Sequence, residues 1–286
     1  LSKLKIGIDC SNGMAGLLIK DLLGSKPTYI FDEIDGTFPN HPPNPLEEKN
    51  CADLKKLVKN NDLDIGLIFD GDADRVMFID EQGRFVQPDL ITGVLAEYFL
   101  AENSGERVLH DIRTSKSVTE HIEELGGEPH MWKVGHSFAK MKMRELGAIV
   151  GGELAGHYYF RDFFNCDSGL LTALIVLSVA VKLKETGKPF STCIDGLMRY
   201  ATSGEINLHI EDKDAAISAL VQCVTQKEKP DAIYDFDGVR IEFPDWWFNV
   251  RPSNTEPYLR LLLEAKNGEL LEEKHAIIKT ILSEFL

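Results

Sequence analysis

The sequence lacks several things that would have set its class at once. Its five cysteines, Cys10, Cys51, Cys166, Cys193 and Cys223, are odd in number and contain no CxxC pair. That excludes a secreted disulfide framework and a cysteine zinc site, and leaves reduced thiols and a cytoplasmic setting as the expectation. No basic-then-apolar leader is present, so no signal peptide is expected. The longest apolar stretch, Leu170 to Val181, is too short to span a bilayer and is expected to be a buried helix. There is no surplus of base: 31 Lys and Arg face 46 Asp and Glu, a formal charge of −15. Broad nucleic-acid and anionic-membrane surfaces need the opposite sign, so neither is an expected partner. An initiator Met is also missing, and the chain opens on Leu1 almost directly into a strand.

What is present is ordinary globular material, 43% hydrophobic and 27% charged over 286 residues. Length alone predicts roughly two domains. Short apolar runs alternate with helical stretches. Lys3 to Asp9 and Ile65 to Phe69 read as strands, and Leu17 to Leu23 and Leu54 to Lys59 as helices. From Phe85 a second alternating set begins, ending in the apolar helix of residues 169–184. The last segment differs. Strands are expected at 205–210, 238–243, 246–251 and 259–265, with helices at 214–225 and 269–285. The expected fold class is therefore α/β: two mixed-sheet α/β domains, residues 1–84 and 85–197, then a smaller α+β domain, residues 198–286.

Three loops could carry chemistry. Asp70-Gly71-Asp72-Ala73-Asp74-Arg75 follows a buried strand, and alternate carboxylates separated by small residues can converge on one hard divalent cation. A calcium EF-hand reading fails, because Arg75 and Phe78 stand at the sixth and ninth positions and a strand precedes the loop. Gly152-Glu153-Leu154-Ala155-Gly156-His157 offers an acceptor and a donor that could grip sugar hydroxyls, or is an incidental glycine turn. Arg251-Pro252-Ser253-Asn254-Thr255 offers a guanidinium, hydroxyls and successive backbone N–H groups suited to phosphate, or is a capped turn. Together the three suit a phosphorylated sugar and a metal-assisted phosphoryl transfer.

In these loops and their order the chain resembles the α-D-phosphohexomutase superfamily, and most of all its bacterial phosphomannomutase/phosphoglucomutase branch. The resemblance implies that Asp70, Asp72 and Asp74 bind Mg²⁺, with Arg75 near the reacting phosphate and Ala73 in place of the usual middle glycine. It implies sugar contacts from Glu153 and His157, with Ala155 where serine is usual, and phosphate contacts from Arg251, Ser253, Asn254 and Thr255. Val134-Gly135-His136-Ser137 resembles the family's TGHS stretch, which makes His136 a candidate catalytic residue, and Arg113 stands where many members have lysine. The motif at residues 33–41 also resembles the bacterial branch, without an evident chemical role.

The family fold implied is four domains, the last resembling the TATA-binding-protein fold. The first carries a phosphoserine in a TASHNP-type loop that this sequence does not contain; His41-Pro42-Pro43-Asn44-Pro45 is superficially like it but has no serine. The chain is thus expected to correspond to domains two to four, with the phosphoserine domain of the same protein as its partner and hexose 1- and 6-phosphates as substrates. Alone it is expected to be inactive. The alternative is a non-catalytic sugar-phosphate or metal-binding module.

Overall fold

The computed structural model describes residues 1–253 and 258–286. They form two compact units. One comprises Leu1–Thr114 with Val118–Leu197, and the other Ser115–Ser117 with Met198–Leu286.

In the first unit, one sheet is built from β1 (Ile6–Asp9), β2 (Thr28–Ile30), β3 (Ile65–Phe69), β4 (Val76–Asp80) and β5 (Phe85–Val86), in the order β2-β1-β3-β4-β5. The left side is parallel and the β3–β4–β5 side antiparallel. Every residue of β3 is buried. That suits its unbroken apolar run, which needs cover on both faces. Gly66 lets helix α2 (Ala52–Asn60) lie close, since a Cβ there would stand 2.8 Å from Val58. Helix α1 (Ala15–Leu23) follows β1.

The other sheet of this unit contains β6 (Arg107–Asp111), β7 (Glu128–Trp132), β8 (Val150–Gly152), β9 (Tyr158–Phe160) and β10 (Cys166–Asp167), ordered β10-β9-β8-β6-β7. Its helices are α3 (Pro88–Leu100), α4 (Lys116–Glu124, in this unit from Val118), α5 (His136–Leu146), α6 (Gly169–Glu185) and α7 (Ser191–Leu197). One apolar cluster runs through both sheets, joining Ile8, Leu67 and Phe78 to Val108, Val150 and Val176. The apolar run at 170–181 lies inside α6, which starts where the Ser168 hydroxyl caps the Leu171 N–H at 3.1 Å. No helix among the described residues is long and apolar enough to cross a membrane.

The second unit is an antiparallel sheet of β11 (Ala201–Thr202), β12 (Ile206–His209), β13 (Ala232–Tyr234), β14 (Val239–Glu242), β15 (Trp246–Pro252) and β16 (Tyr258–Ala265). Helices α8 (Lys213–Lys227) and α9 (Gly268–Leu282) bury Leu220, Val224, Ile278 and Leu282 with the sheet residues Phe248, Val250 and Leu261. Both helices begin at side-chain caps, Asp212 and Asn267. The adjacent tryptophans are packing residues. Trp246 stacks on Phe243 with centroids 4.5 Å apart, and Trp247 is fully buried under the Arg240 guanidinium. The three-sheet α/β architecture expected from the sequence is the one observed.

Candidate functional site

The carboxylate turn lies at the C-terminal end of β3, where α/β sheets commonly bind ligands. Asp70, Asp72 and Asp74 bring one carboxylate oxygen each within 4.8 Å of the others. Asp70 is buried and accepts from Arg75 Nε at 2.7 Å. Burial, then the charges of Asp70 and Asp72, push Asp74 up to about 6, although His157 pulls the other way. Three carboxylates held together at that cost form an all-oxygen donor set that fits a hard divalent cation.

Two glycines admit this turn to its place. A Cβ on Gly13 would stand 2.6 Å from the Gly71 carbonyl oxygen, and a Cβ on Gly169 would stand 2.7 Å from that of Ala73. The turn is therefore held between the start of α1 and the start of α6. Ala73 itself has φ +65°, the left-handed region that favours glycine.

The glycine-rich loop between β8 and β9 reaches the same place. Arg75 and His157 form an isolated antiparallel backbone bridge. His157 Nδ1 lies 2.8 Å from Asp167 and 3.7 Å from Asp74. Burial disfavours the imidazolium, but the Asp167 hydrogen bond and the charges of Asp74 and Glu153 outweigh it, so His157 sits above the usual histidine range. Asp167 also meets Lys140 at 2.8 Å. Against its own burial, these two partners hold Asp167 far below the ordinary carboxylate range. With Nδ1 turned to Asp167, the other ring nitrogen is the one left to meet a ligand.

Glu153 accepts the Gly135 N–H at 2.8 Å, at the N-terminus of α5. Burial, and then the Asp111 charge, raise its pKa. His136, the first residue of α5, stacks on His157 at 6.0 Å. The structure thus gathers Asp70, Asp72, Asp74, Arg75, Glu153, His157 and His136 in one unit. Arg113 is buried there against Asp111, Nη2 to Oδ2 at 2.6 Å. Burial alone would raise Asp111, but the Arg113 charge and hydrogen bonds bring it below the ordinary range.

In the second unit, Arg251 is buried near the end of β15, directly across from Arg260 of β16. One carboxylate, Glu205, lies 3.6 Å from Arg251 and 3.2 Å from Arg260. It offsets the repulsion of like charges on opposed strands. Ser253 is buried, and its N–H donates to the Tyr258 carbonyl. Asn254 and Thr255 lie outside the described residues.

Sequence reading missed Asp167, Lys140 and Asp111. The one available signal was local: Asp167 immediately precedes the Ser168 cap of a strongly apolar helix. Burial pushes Cys10, Cys51 and Cys193 up to about 12.

Comparison with known proteins gives a consistent picture. Family models described as phosphoglucomutase/phosphomannomutase domains II, III and IV match residues 1–83, 87–200 and 205–279. The chain is 38% identical over 288 aligned residues to proteins named phosphohexose mutases from Xanthomonas campestris, covering 99% of this chain and 63% of theirs. It is 37% identical over 294 residues to a phosphomannomutase of Escherichia coli, again 99% and 63%. A crystal structure of a phosphoglucomutase/phosphomannomutase family protein from Burkholderia thailandensis superposes with a TM-score of 0.87 at 33% identity, covering 98% of this chain and 60% of that one. The chain therefore spans about three-fifths of the length of the relatives it matches.

Proposed function

The chain belongs to the phosphoglucomutase/phosphomannomutase family, and from that premise we propose that it supplies the metal, sugar and phosphate sites of a Mg²⁺-dependent phosphohexose mutase. The observation that carries this reading is the meeting of the carboxylate turn with the Glu153–His157 loop through the Arg75–His157 bridge. Asp70, Asp72 and Asp74 would hold the ion. Bound there, a divalent ion would supply positive charge to offset that on a transferring phosphoryl group. Arg75, kept in place by Asp70, would stand beside that group. Glu153 and His157 would hold sugar hydroxyls, and Arg251, Ser253, Asn254 and Thr255 the phosphate that does not react.

In this reading a phosphoserine on a further domain gives its phosphoryl group to the free hydroxyl of a hexose 1- or 6-phosphate. The serine P–O bond breaks and a bond to the sugar oxygen forms. The bisphosphate turns over in the site, and its other phosphoryl group returns to the serine. His136 is a candidate to exchange the hydroxyl proton. Mannose and glucose phosphates are the substrates proposed, in a reducing cytoplasmic setting that suits the five thiols.

A coupled mutase assay tests this on the full-length polypeptide, with mannose 1-phosphate and glucose 1-phosphate, Mg²⁺ and a hexose bisphosphate activator. No turnover on any hexose phosphate rejects the mutase reading. Hexose-phosphate binding without turnover in that assay favours a binding module instead. Robust turnover by the 286-residue chain alone rejects the need for a separate phosphoserine domain.

A further inference from the structure

Asp9 and His41 form a buried ionisable pair with no part in the chemistry above. Asp9 ends β1, level with Ile68 of β3, and is fully buried. Its Oδ1 accepts the Ser11 N–H at 2.8 Å, and its Oδ2 lies 3.2 Å from His41 Nε2. The other ring nitrogen of His41, Nδ1, lies 2.9 Å from the Pro42 carbonyl oxygen. A neutral imidazole has one N–H, so with Asp9 ionised the ring satisfies an acceptor at each nitrogen only as the imidazolium. The ring is 9% exposed and meets Phe31 edge-on.

What this pair fastens is the segment between Phe31 and Pro45, which lies against the carboxylate turn. Within that segment Asn40 donates to Asn12 Oδ1 at 2.8 Å, and the Asp35 N–H donates to the Asn12 carbonyl. Phe38 and Pro43 lie where a Cβ on Gly71 would meet each at 3.5 Å, between Asp70 and Asp72. Asn44 Oδ1 accepts from Arg75 Nη1 at 3.4 Å, and Arg75 in turn holds Asp70.

We propose that His41 is a positioning residue: anchored by Asp9, it pins the 31–45 segment onto the carboxylate turn and thereby sets the spacing of Asp70, Asp72 and Asp74 and the aim of Arg75. The metal part of this inference rests on the reading of those carboxylates as cation ligands. The titratable groups facing the pair are Asp53, Cys10 and Cys51. The Asp9 hydrogen bond, outweighing burial, raises His41, and burial raises Asp9 despite His41. The charged latch is thus complete between the two and weakened above the His41 pKa, where the neutral ring keeps only one of its two donors.

The test uses the 286-residue chain and its His41→Leu, His41→Gln and Asp9→Asn variants. Mg²⁺ affinity is read by titration calorimetry and amide exchange by mass spectrometry. His41→Leu and Asp9→Asn should weaken Mg²⁺ by about tenfold, as loss of an outer support does. They should also speed exchange at 32–45 and 71–75 while leaving β6 and β8 unchanged. His41→Gln keeps one donor to Asp9, so it should recover part of the affinity and should not show the rise in loop exchange, beyond the intrinsic increase with pH, that is expected of the parent chain above the His41 pKa. Unchanged loop exchange and unchanged affinity in His41→Leu overturn the proposal, as does acceleration spread evenly over the unit. If the parent chain binds no Mg²⁺, the cation reading fails, and the exchange pattern alone decides the latch. If His41→Leu does not fold, His41→Gln decides it by the same two measurements.

Discussion

Asp167 holds His157 by Nδ1 at 2.8 Å, and Lys140 holds Asp167 from its other oxygen at the same distance. The imidazole is thereby oriented from behind, by a carboxylate that is itself fixed. Asp167→Asn should lower the His157 pKa, because it removes the largest interaction raising it. It should weaken glucose 1-phosphate binding by about tenfold, equivalent to ~1.4 kcal/mol. Histidine titration by NMR and calorimetry read the two effects. An unmoved His157 titration counts against the orienting role.

Asp72→Asn should weaken Mg²⁺ by more than about tenfold while leaving the fold intact, since the Asp72 carboxylate faces the cluster rather than the apolar core. Calorimetric titration with Mg²⁺ or Mn²⁺ checks it. An unchanged isotherm removes Asp72 from the ligand set.

The raised Asp74 gives a pH signature. A proton and a cation compete for this carboxylate, so Mg²⁺ affinity should fall by about tenfold per pH unit below about 6. Without metal the sign reverses. A carboxyl whose folded pKa is raised favours the fold when protonated, so that contribution is lost as pH rises from the ordinary carboxylate value to about 6, and is flat above. In Asp74→Asn both slopes should shrink. Thermal unfolding with and without Mg²⁺ between pH 4 and pH 8 measures them.

Ala73 holds a left-handed backbone that costs a residue with a Cβ about 1 kcal/mol. Ala73→Gly should therefore stabilise the chain by somewhat less than that, since glycine has more entropy to lose. Denaturant melts check it, and destabilisation would show the turn is not strained at this position.

Gly169→Ala should do the opposite. Its Cβ would press on the Ala73 and Arg75 backbone at 2.7 and 3.0 Å, with no flexible side chain to give way. A loss of about 1–3 kcal/mol is expected, together with weaker Mg²⁺ binding. Equal stability and equal affinity would show that the turn can move aside.

The legible parts of this molecule were those written contiguously. Asp70 to Arg75 declared themselves by spacing behind an apolar run, and β3 proved buried throughout. Asp167 did not, because its partner His157 is ten residues away, and β9 between them and the two-residue β10 that carries Asp167 have no period long enough to read. β2 escaped for the same reason: exposed Thr28 and half-exposed Tyr29 and Ile30 become a strand only by pairing with β1. The use of Gly13 and Gly169 was invisible too. A glycine required by close approach is indistinguishable in sequence from one in an ordinary turn.

The Arg75–His157 bridge joins strand ends from two sheets that otherwise have separate ladders. Amides on either side of it are expected to open together if that bridge governs their protection. A sugar that stills the loop around His157 would slow solvent exchange at Arg75, and a cation seated among the aspartates would slow it at His157. Exchange at each position, followed with the other ligand present, measures how far occupancy of one loop is felt in the other.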